Sequence, residues 1–269
     1  MNVAKALTIA GSDSGGGAGI QADIKTFQEL GVYGMTAITA ITAQNTIGVQ
    51  AVHPVPVEVI RAQLQSVADD LSPQAIKTGM LFSPELIESV ADAIQLYNWS
   101  QVVVDPVMIA KGGATLLQQE AIYSIKTRLI PLATIITPNI PEAEVLTGLT
   151  IQTMEDRKEA AKVLMEMGVR YVVIKGGHGA EEMAIDLFYD GDQFETISTP
   201  RINTKNTHGT GCTFSAAITA ELAKGAEIFE AVQTAKAFIH SAIKHDLMIG
   251  SGHGPTNHWA YRKQGVFTG

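Results

Sequence analysis

Short runs of β-branched residues recur along this chain, and segments with the apolar spacing of a helix separate most of them. Two of the runs, Val102-Val103-Val104 and Val172-Val173-Ile174, contain no polar residue. Continuously apolar strands are typical of a parallel sheet that helices cover on both faces. The alternation therefore predicts an α/β fold, doubly wound, with a mostly parallel central sheet.

The predicted elements follow one another without a Ser/Pro-rich linker or an internal repeat. Strands are predicted at residues 6–10, 35–42, 75–78, 102–105, 134–137 and 171–175. Helices are predicted at 21–29, 57–69, 84–97, 116–129, 156–167, 210–223 and 228–248. Asp190-Gly191-Asp192 predicts the turn of a hairpin with strands near 183–187 and 194–198. We expect residues 1–269 to form a single domain.

Charge and cysteine content narrow the partners and the compartment. The chain has 27 acidic and 19 basic residues, a net charge of −8, and no dense run of Lys and Arg. This balance argues against nucleic acid or an anionic membrane as a partner. Cys212 is the one cysteine, so no intrachain disulfide is possible. We therefore expect a cytoplasmic globular protein.

In a doubly wound fold, ligands bind outside the carboxyl ends of the strands. The first predicted strand leads into residues 11–19, which include five glycines. Such a segment lets the backbone approach a ligand closely, and its N–H groups favour anions or ring heteroatoms. It has neither the Gly-Lys-Ser/Thr of a Walker loop nor the glycine spacing of a dinucleotide fingerprint. We predict a ligand-binding loop rather than a flexible turn.

Gln44 follows the second predicted strand. Its side-chain amide offers donors and an acceptor, which suits the edge of an aminopyrimidine. A polar residue that merely ends a strand is an equally good interpretation.

Acidic and basic residues follow the later strands. Asp105 ends the fourth, and Asn139 and Glu142 follow the fifth one helical turn apart, hence on one face. Two carboxylates at neighbouring strand ends indicate Mg²⁺ held largely through water beside phosphates. The alternative for Glu142 is a role in the first turn of a helix. Lys175, before two glycines, is predicted to face a phosphate, and a solvent-exposed lysine is the alternative.

The segment Gly209-Thr210-Gly211-Cys212 opens a predicted helix rich in small residues. Unsatisfied N–H groups and the positive end of the helix dipole there form an anion hole. A helix N-terminus also favours the thiolate form of a cysteine. A lone cysteine is more often a small buried hydrophobic residue, but its place after Gly-Thr-Gly favours a functional role.

Together these segments resemble the ribokinase superfamily and, within it, the hydroxymethylpyrimidine and phosphomethylpyrimidine kinases of thiamine biosynthesis. The matching segments lie at residues 10–23, 42–45, 77–80, 105–108, 137–142, 173–178, 209–212 and 253–258. The resemblance implies a ribokinase-like fold, ATP with Mg²⁺, a small-molecule substrate and a homodimer. It implies phosphorylation of 4-amino-5-hydroxymethyl-2-methylpyrimidine and then of its monophosphate.

The resemblance also implies a role for individual residues. It assigns the pyrimidine pocket to Gly11, Asp23, Thr42, Gln44, Met80 and Val107. It places Asp105 and Glu142 near Mg²⁺, and Asn139, Lys175, Thr210 and Gly211 on the ATP phosphates. It assigns catalysis to Gly209, Thr210, Gly211, Cys212 and Lys175. Most of the superfamily has an aspartate as general base where this chain has Cys212, whereas cysteine is usual in the pyrimidine kinase branch.

Two alternatives stay open from the sequence. The first is a pyridoxal or pyridoxine kinase of the same fold, whose substrate is a pyridine with a phenol and no exocyclic amine. Gln44 favours the aminopyrimidine over it. The second is a non-catalytic sensor, which has no need of Asp105, Glu142 and Lys175 together with the Gly-Thr-Gly segment.

Overall fold

A computed structural model describes residues 3–108, 119–177 and 182–262 of the chain. Contacts divide it into two compact units, Met1–Met80 with Ile202–Gly269 and Leu81–Arg201. The single domain over residues 1–269 stays a prediction.

The first unit is built on four strands in the order β3-β2-β1-β4. They are β1 (Lys5–Asp13), β2 (Tyr33–Asn45), β3 (Gly48–Pro54) and β4 (Ala75–Thr78). β1 is parallel to both β2 and β4, so the carboxyl ends of these three strands lie at one edge, and β3 is antiparallel to β2. The helices of this unit are α1 (Gly19–Glu29), α2 (Val57–Asp70), α7 (Thr210–Ala223) and α8 (Ile228–Lys244).

The second unit has five strands in the order β5-β6-β7-β8-β9. They are β5 (Val102–Val104), β6 (Ile135–Ile136), β7 (Tyr171–Ile174), β8 (Met183–Tyr189) and β9 (Phe194–Pro200). The first three are parallel, and β8 and β9 form the predicted antiparallel hairpin. Its helices are α3 (Pro84–Leu96), α4 (Gln119–Ser124), α5 (Ile140–Thr147) and α6 (Met154–Glu166).

The predicted α/β fold is confirmed, since parallel strands alternating with helices form the centre of each unit. The structure adds β3, which the sequence did not predict. All but the first of its residues are exposed, so it needs no apolar alternation. Of the helix predicted at 116–129, residues 116–118 lie outside the described residues, and the rest forms α4 and a π-helical turn at Ile125–Leu129. Within the described part, no helix has the length and hydropathy to cross a membrane.

A buried ion pair joins α1 to β4 in the first unit. Lys77 Nζ lies 3.0 Å from Asp23 Oδ2, and both side chains are 0% exposed. Thr8 Oγ1 donates a second hydrogen bond to the same oxygen at 2.6 Å. Breaking a buried pair on one side leaves a charge without compensation, which is costlier than losing an exposed pair.

Lys77→Met should therefore lower the free energy of unfolding by about 3–5 kcal/mol. Lys158→Met, at the exposed pair that Lys158 makes with Glu155, is the control and should cost about 0–1 kcal/mol. Urea unfolding of both variants measures the difference. Equal losses in the two variants would contradict a structural role for the buried pair.

Candidate functional site

The glycine-rich segment after β1 is folded around the carboxylate of Asp13. This carboxylate accepts hydrogen bonds from the backbone N–H groups of Gly15 at 2.8 Å, Gly17 at 3.0 Å and Ala18 at 2.8 Å. His208 Nε2 lies 2.8 Å from Asp13 Oδ2. Burial raises the pKa of Asp13, but the hydrogen bond and charge of His208 and the backbone N–H donors outweigh it and hold that pKa below its usual value. The segment is thus an ordered loop built on an ionised side chain.

Gln44, near the end of β2, is fastened to this loop by its backbone. Its N–H donates to Ser14 Oγ at 2.8 Å, and Ser14 Oγ donates to the Gln44 carbonyl at 2.9 Å. The side-chain amide lies between Thr42, with Oε1 3.3 Å from Thr42 Oγ1, and His208, with Nε2 3.2 Å from His208 Nε2. The structure thereby brings together two predicted pocket residues, Thr42 and Gln44.

Gly209 seats the N-terminus of α7 against the same loop. It is the N-cap residue, with φ of +82°, and a Cβ there would lie 1.8 Å from the Gly17 carbonyl oxygen. Only glycine permits both the left-handed backbone and this close approach. Thr210, Gly211 and the partly exposed Cys212 form the first turn of α7, as predicted.

The other predicted pocket residues lie in different places. Gly11 and Met80 are adjacent, because a Cβ on Gly11 would lie 2.7 Å from Met80 Cε. The side chain of Asp23 is not exposed beside Gly11, Met80 or Gln44, because it is fully buried against Lys77. Val107 belongs to the second unit, where its N–H donates to the Asp105 carbonyl at 2.8 Å.

In the second unit, the carboxyl ends of β5 and β7 place an acid beside a lysine. Lys175 Nζ lies 3.1 Å from Asp105 Oδ1, with the side chains 14% and 2% exposed. Glu142 is buried near both. Burial raises the pKa of Glu142 to about 7, with the charge of Lys175 opposing the rise and that of Asp105 adding to it. We call Asp105, Glu142 and Lys175 the charged cluster.

Asn139 and Glu142 also form a capping box at the start of α5. Asn139 N–H donates to Glu142 Oε2 at 2.8 Å, and Glu142 N–H donates to Asn139 Oδ1 at 2.9 Å. The interpretation of Glu142 as a helix-start residue is therefore confirmed. The cap also holds its carboxyl group within the charged cluster, so the two roles are compatible.

The donor set of the charged cluster suits one kind of metal. In the part of the chain that the structure describes, no three His, Cys, Asp or Glu side chains are grouped to hold an ion directly. Asp105 and Glu142 supply two carboxyl groups. Mg²⁺ often keeps several waters and takes one or two carboxylates with substrate phosphates, so these residues fit Mg²⁺ bound mainly through water and phosphate.

Sequence reasoning assigned no role to Asp13 or His208. Asp13 lies in the glycine-rich segment, and His208 directly precedes the Gly-Thr-Gly segment. They are 195 residues apart, and no local pattern shows that two such side chains meet.

Comparison with known proteins adds the family to this geometry. The family described as phosphomethylpyrimidine kinase matches residues 13–257. The chain belongs to this family. The match includes the ordered loop from Asp13 onward, the charged cluster and the start of α7.

Three relatives show how far the similarity extends. The hydroxymethylpyrimidine/phosphomethylpyrimidine kinase of Bacillus subtilis is 58% identical over 269 residues, which is 100% of this chain and 99% of the relative. A thiamine biosynthesis bifunctional protein of Geobacter sulfurreducens is 51% identical over 252 residues, 94% of this chain and 51% of that protein. The structure of an ADP complex of B. subtilis pyridoxal kinase has a TM-score of 0.92 at 49% identity, covering 97% of this chain and 99% of that one.

Proposed function

We propose that this chain phosphorylates 4-amino-5-hydroxymethyl-2-methylpyrimidine with ATP, and then phosphorylates the monophosphate to the diphosphate, for thiamine biosynthesis. The observation that carries the proposal is the charged cluster, in which Asp105 and Lys175 at strand ends and Glu142 in the first turn of α5 are held with little solvent. Phosphoryl transfer depends chiefly on positioning and on neutralising phosphate charge. The full-length similarity to the B. subtilis kinase supports the choice of substrate.

The test is ADP release with the pyrimidine alcohol and with its monophosphate, followed by mass measurement of each product. The alcohol should yield a monophosphate and then a diphosphate. Absence of ADP release with both pyrimidines would contradict the proposed function.

In this proposal the second unit binds the nucleotide phosphates. Lys175 and Asn139 contact phosphate oxygens there. In the first unit, Thr210 and Gly211 offer backbone N–H groups for phosphate at the start of α7. Asp105 and Glu142 would hold Mg²⁺ through water, and their role would be to keep its charge beside the phosphates. The ADP complex of the similar pyridoxal kinase supports a nucleotide as phosphoryl donor.

Replacing Glu142 by Gln keeps an oxygen for the cap of α5 but removes the acid. Glu142→Gln should raise the Mg²⁺ concentration for half-maximal rate more than it raises the KM for the alcohol. Glu144→Gln on the same helix is the control, since Glu144 accepts its hydrogen bond from Ile151 N–H at 2.8 Å and lies outside the charged cluster. A Glu142→Gln titration that overlays the parent curve would contradict the metal role.

The first unit binds the pyrimidine in this proposal. Gln44, held beside the ordered loop, presents its amide to the amino group and adjacent ring nitrogen of the substrate. Gly11 and Met80 border the pyrimidine ring. Removal of the Gln44 amide would leave the substrate without a hydrogen-bonding partner in the pocket, which costs about 1–3 kcal/mol.

Gln44→Met keeps the volume of the side chain and removes its hydrogen bonds. The variant should lose kcat/KM for the pyrimidine alcohol by about 5- to 150-fold, the equivalent of that cost. Steady-state kinetics with the parent enzyme as reference measures it. Unchanged kinetics would contradict the assignment of Gln44.

A pyridoxal kinase is the second candidate function, because the B. subtilis pyridoxal kinase structure covers nearly the whole chain at 49% identity. The substrate of a pyridoxal kinase lacks the exocyclic amine with which Gln44 pairs in this proposal. The same ADP-release assay with pyridoxal decides between the two, and we expect the aminopyrimidine to be preferred. The Gln44→Met variant should have a smaller ratio of the rate with the aminopyrimidine to the rate with pyridoxal.

The two acceptors make different demands on Cys212. The alcohol must lose a proton as its oxygen attacks the γ-phosphorus and ADP leaves, and the Cys212 thiolate at the start of α7 accepts that proton. The monophosphate has a second pKa of about 6, so it is already anionic near neutrality. Its transfer needs charge neutralisation rather than a base.

Cys212→Ser preserves the backbone of α7 and removes the readily ionised group. The alcohol reaction should fall by about 10²-fold or more, the usual contribution of a positioned base, while the monophosphate reaction falls far less. Single-turnover rates with each acceptor from pH 6 to 9 measure this. Equal losses on both acceptors would mean that Cys212 only shapes the anion hole.

We also infer that two copies of this chain form a homodimer through β3. This strand lies at the outer side of its unit, and Val49, Val52 and the neighbouring Ile41 on β2 are 43%, 50% and 54% exposed. An exposed apolar edge strand is a ready surface for pairing with a second chain.

Val52→Lys places a charge on that edge and should shift the species from dimer to monomer in sedimentation velocity. Val59→Lys on α2, which is 47% exposed, is the control and should leave the dimer intact. A parent chain that sediments as a 28.6 kDa monomer would overturn the proposal.

A further inference from the structure

Asp13 determines where His208 carries a hydrogen. Its carboxylate accepts three backbone N–H groups, so it is an acceptor at each of these contacts. His208 Nε2 lies 2.8 Å from Asp13 Oδ2. Two acceptors do not face each other at that distance, so His208 Nε2 bears a hydrogen and donates it to Asp13.

This hydrogen constrains the neighbouring amide of Gln44. With Gln44 Nε2 3.2 Å from His208 Nε2, two N–H groups face each other. The Thr42 hydroxyl, 3.3 Å from Gln44 Oε1, donates at the shorter distance of 2.8 Å to the Ser12 carbonyl. Half a turn of the amide brings Oε1 to the ring N–H, whose single hydrogen is then shared between Asp13 Oδ2 and Gln44 Oε1 in a three-centre hydrogen bond. The same turn lets Nε2 donate to Thr42 Oγ1, so no two donors face each other.

We propose that His208, held by Asp13, is a positioning residue that fixes the Gln44 amide with Oε1 toward His208 and Nε2 toward Thr42. The proposal deepens the proposed function, on which it rests, by naming what sets substrate specificity. The glycine-rich loop also packs closely against the imidazole ring of His208, since a Cβ on Gly17 would lie 2.6 Å from His208 Cδ2.

The orientation matters because an aminopyrimidine edge has direction. Its amino group donates and the adjacent ring nitrogen accepts, so only one orientation of an amide pairs with both. The opposite orientation sets donor against donor and acceptor against acceptor. A site that holds its amide in the matching orientation rejects an analogue without the amino group more strongly than one whose amide turns freely.

The first experiment determines directly which nitrogen of the His208 ring carries the hydrogen, and it does not require enzymatic activity. In protein with ¹⁵N-labelled histidine, long-range ¹H–¹⁵N correlations of His208, assigned with the His208→Gln variant, show which nitrogen carries the hydrogen. We expect a hydrogen on Nε2 at pH 8. A ring with its hydrogen on Nδ1 alone would overturn the proposal, even if the enzyme phosphorylates the pyrimidine as proposed.

The second experiment measures discrimination between the pyrimidine alcohol and the same alcohol without the 4-amino group. His208→Leu should reduce the ratio of the two kcat/KM values at least tenfold. His208→Gln, which keeps an N–H donor at the end of the side chain, should retain most of it. The double variant with Gln44→Met should discriminate no worse than Gln44→Met alone, because His208 acts through Gln44.

Losses of discrimination that simply multiply in the double variant would overturn the proposal, since His208 would then act independently of Gln44. Failure of the parent enzyme to release ADP with either alcohol contradicts the proposed function instead. In that case the ring measurement still decides whether Asp13 and His208 are arranged as proposed.

Discussion

The carboxylate of Asp13 makes the contacts on which the glycine-rich loop of the first unit depends. It binds three N–H groups of its own loop and the ring of His208, which lies 195 residues further along the chain. One ionised side chain therefore shapes the glycine-rich loop and brings the segment before α7 to it. Because charge-assisted hydrogen bonds are about twice as strong as neutral ones, a single aspartate can hold backbone groups that no helix or strand satisfies.

In the second unit, two buried acidic side chains lie close to each other and to a lysine. Asp105 and Glu142 lie together with little solvent, which raises the pKa of Glu142 to about 7, and Lys175 offsets part of the cost by pairing with Asp105. A further positive charge beside the two carboxyl groups would favour the ionised form of Glu142 as Lys175 does. The capping box of α5 supplies the rigidity, since it fixes Asn139 and Glu142 to the start of a helix.

Much of this was predictable, and what was missed has a physical cause. The strand at 75–78 and the helix at 210–223 have the predicted bounds, because apolar spacing and glycine placement are local properties. Asp105 and Glu142 were predicted to hold Mg²⁺ and Lys175 to face a phosphate, because parallel strands bring their carboxyl ends to one edge. β3 was missed because almost all of its residues are exposed, so it has no buried face to impose an alternation of apolar and polar residues.

Asp13 and Asp23 show what the sequence could predict and what only the tertiary structure decided. Both are acids in the same glycine-rich motif, and from the sequence alone only Asp23 received a role. In the folded chain Asp23 is buried against Lys77, while Asp13 organises the loop and holds His208 beside Gln44. The sequence by itself determined the fold class, the elements and the chemistry available at the strand ends, because these depend on residues within a few positions of one another. Only the tertiary structure decided which acid meets which base, because such a contact depends on how segments far apart in the chain pack together.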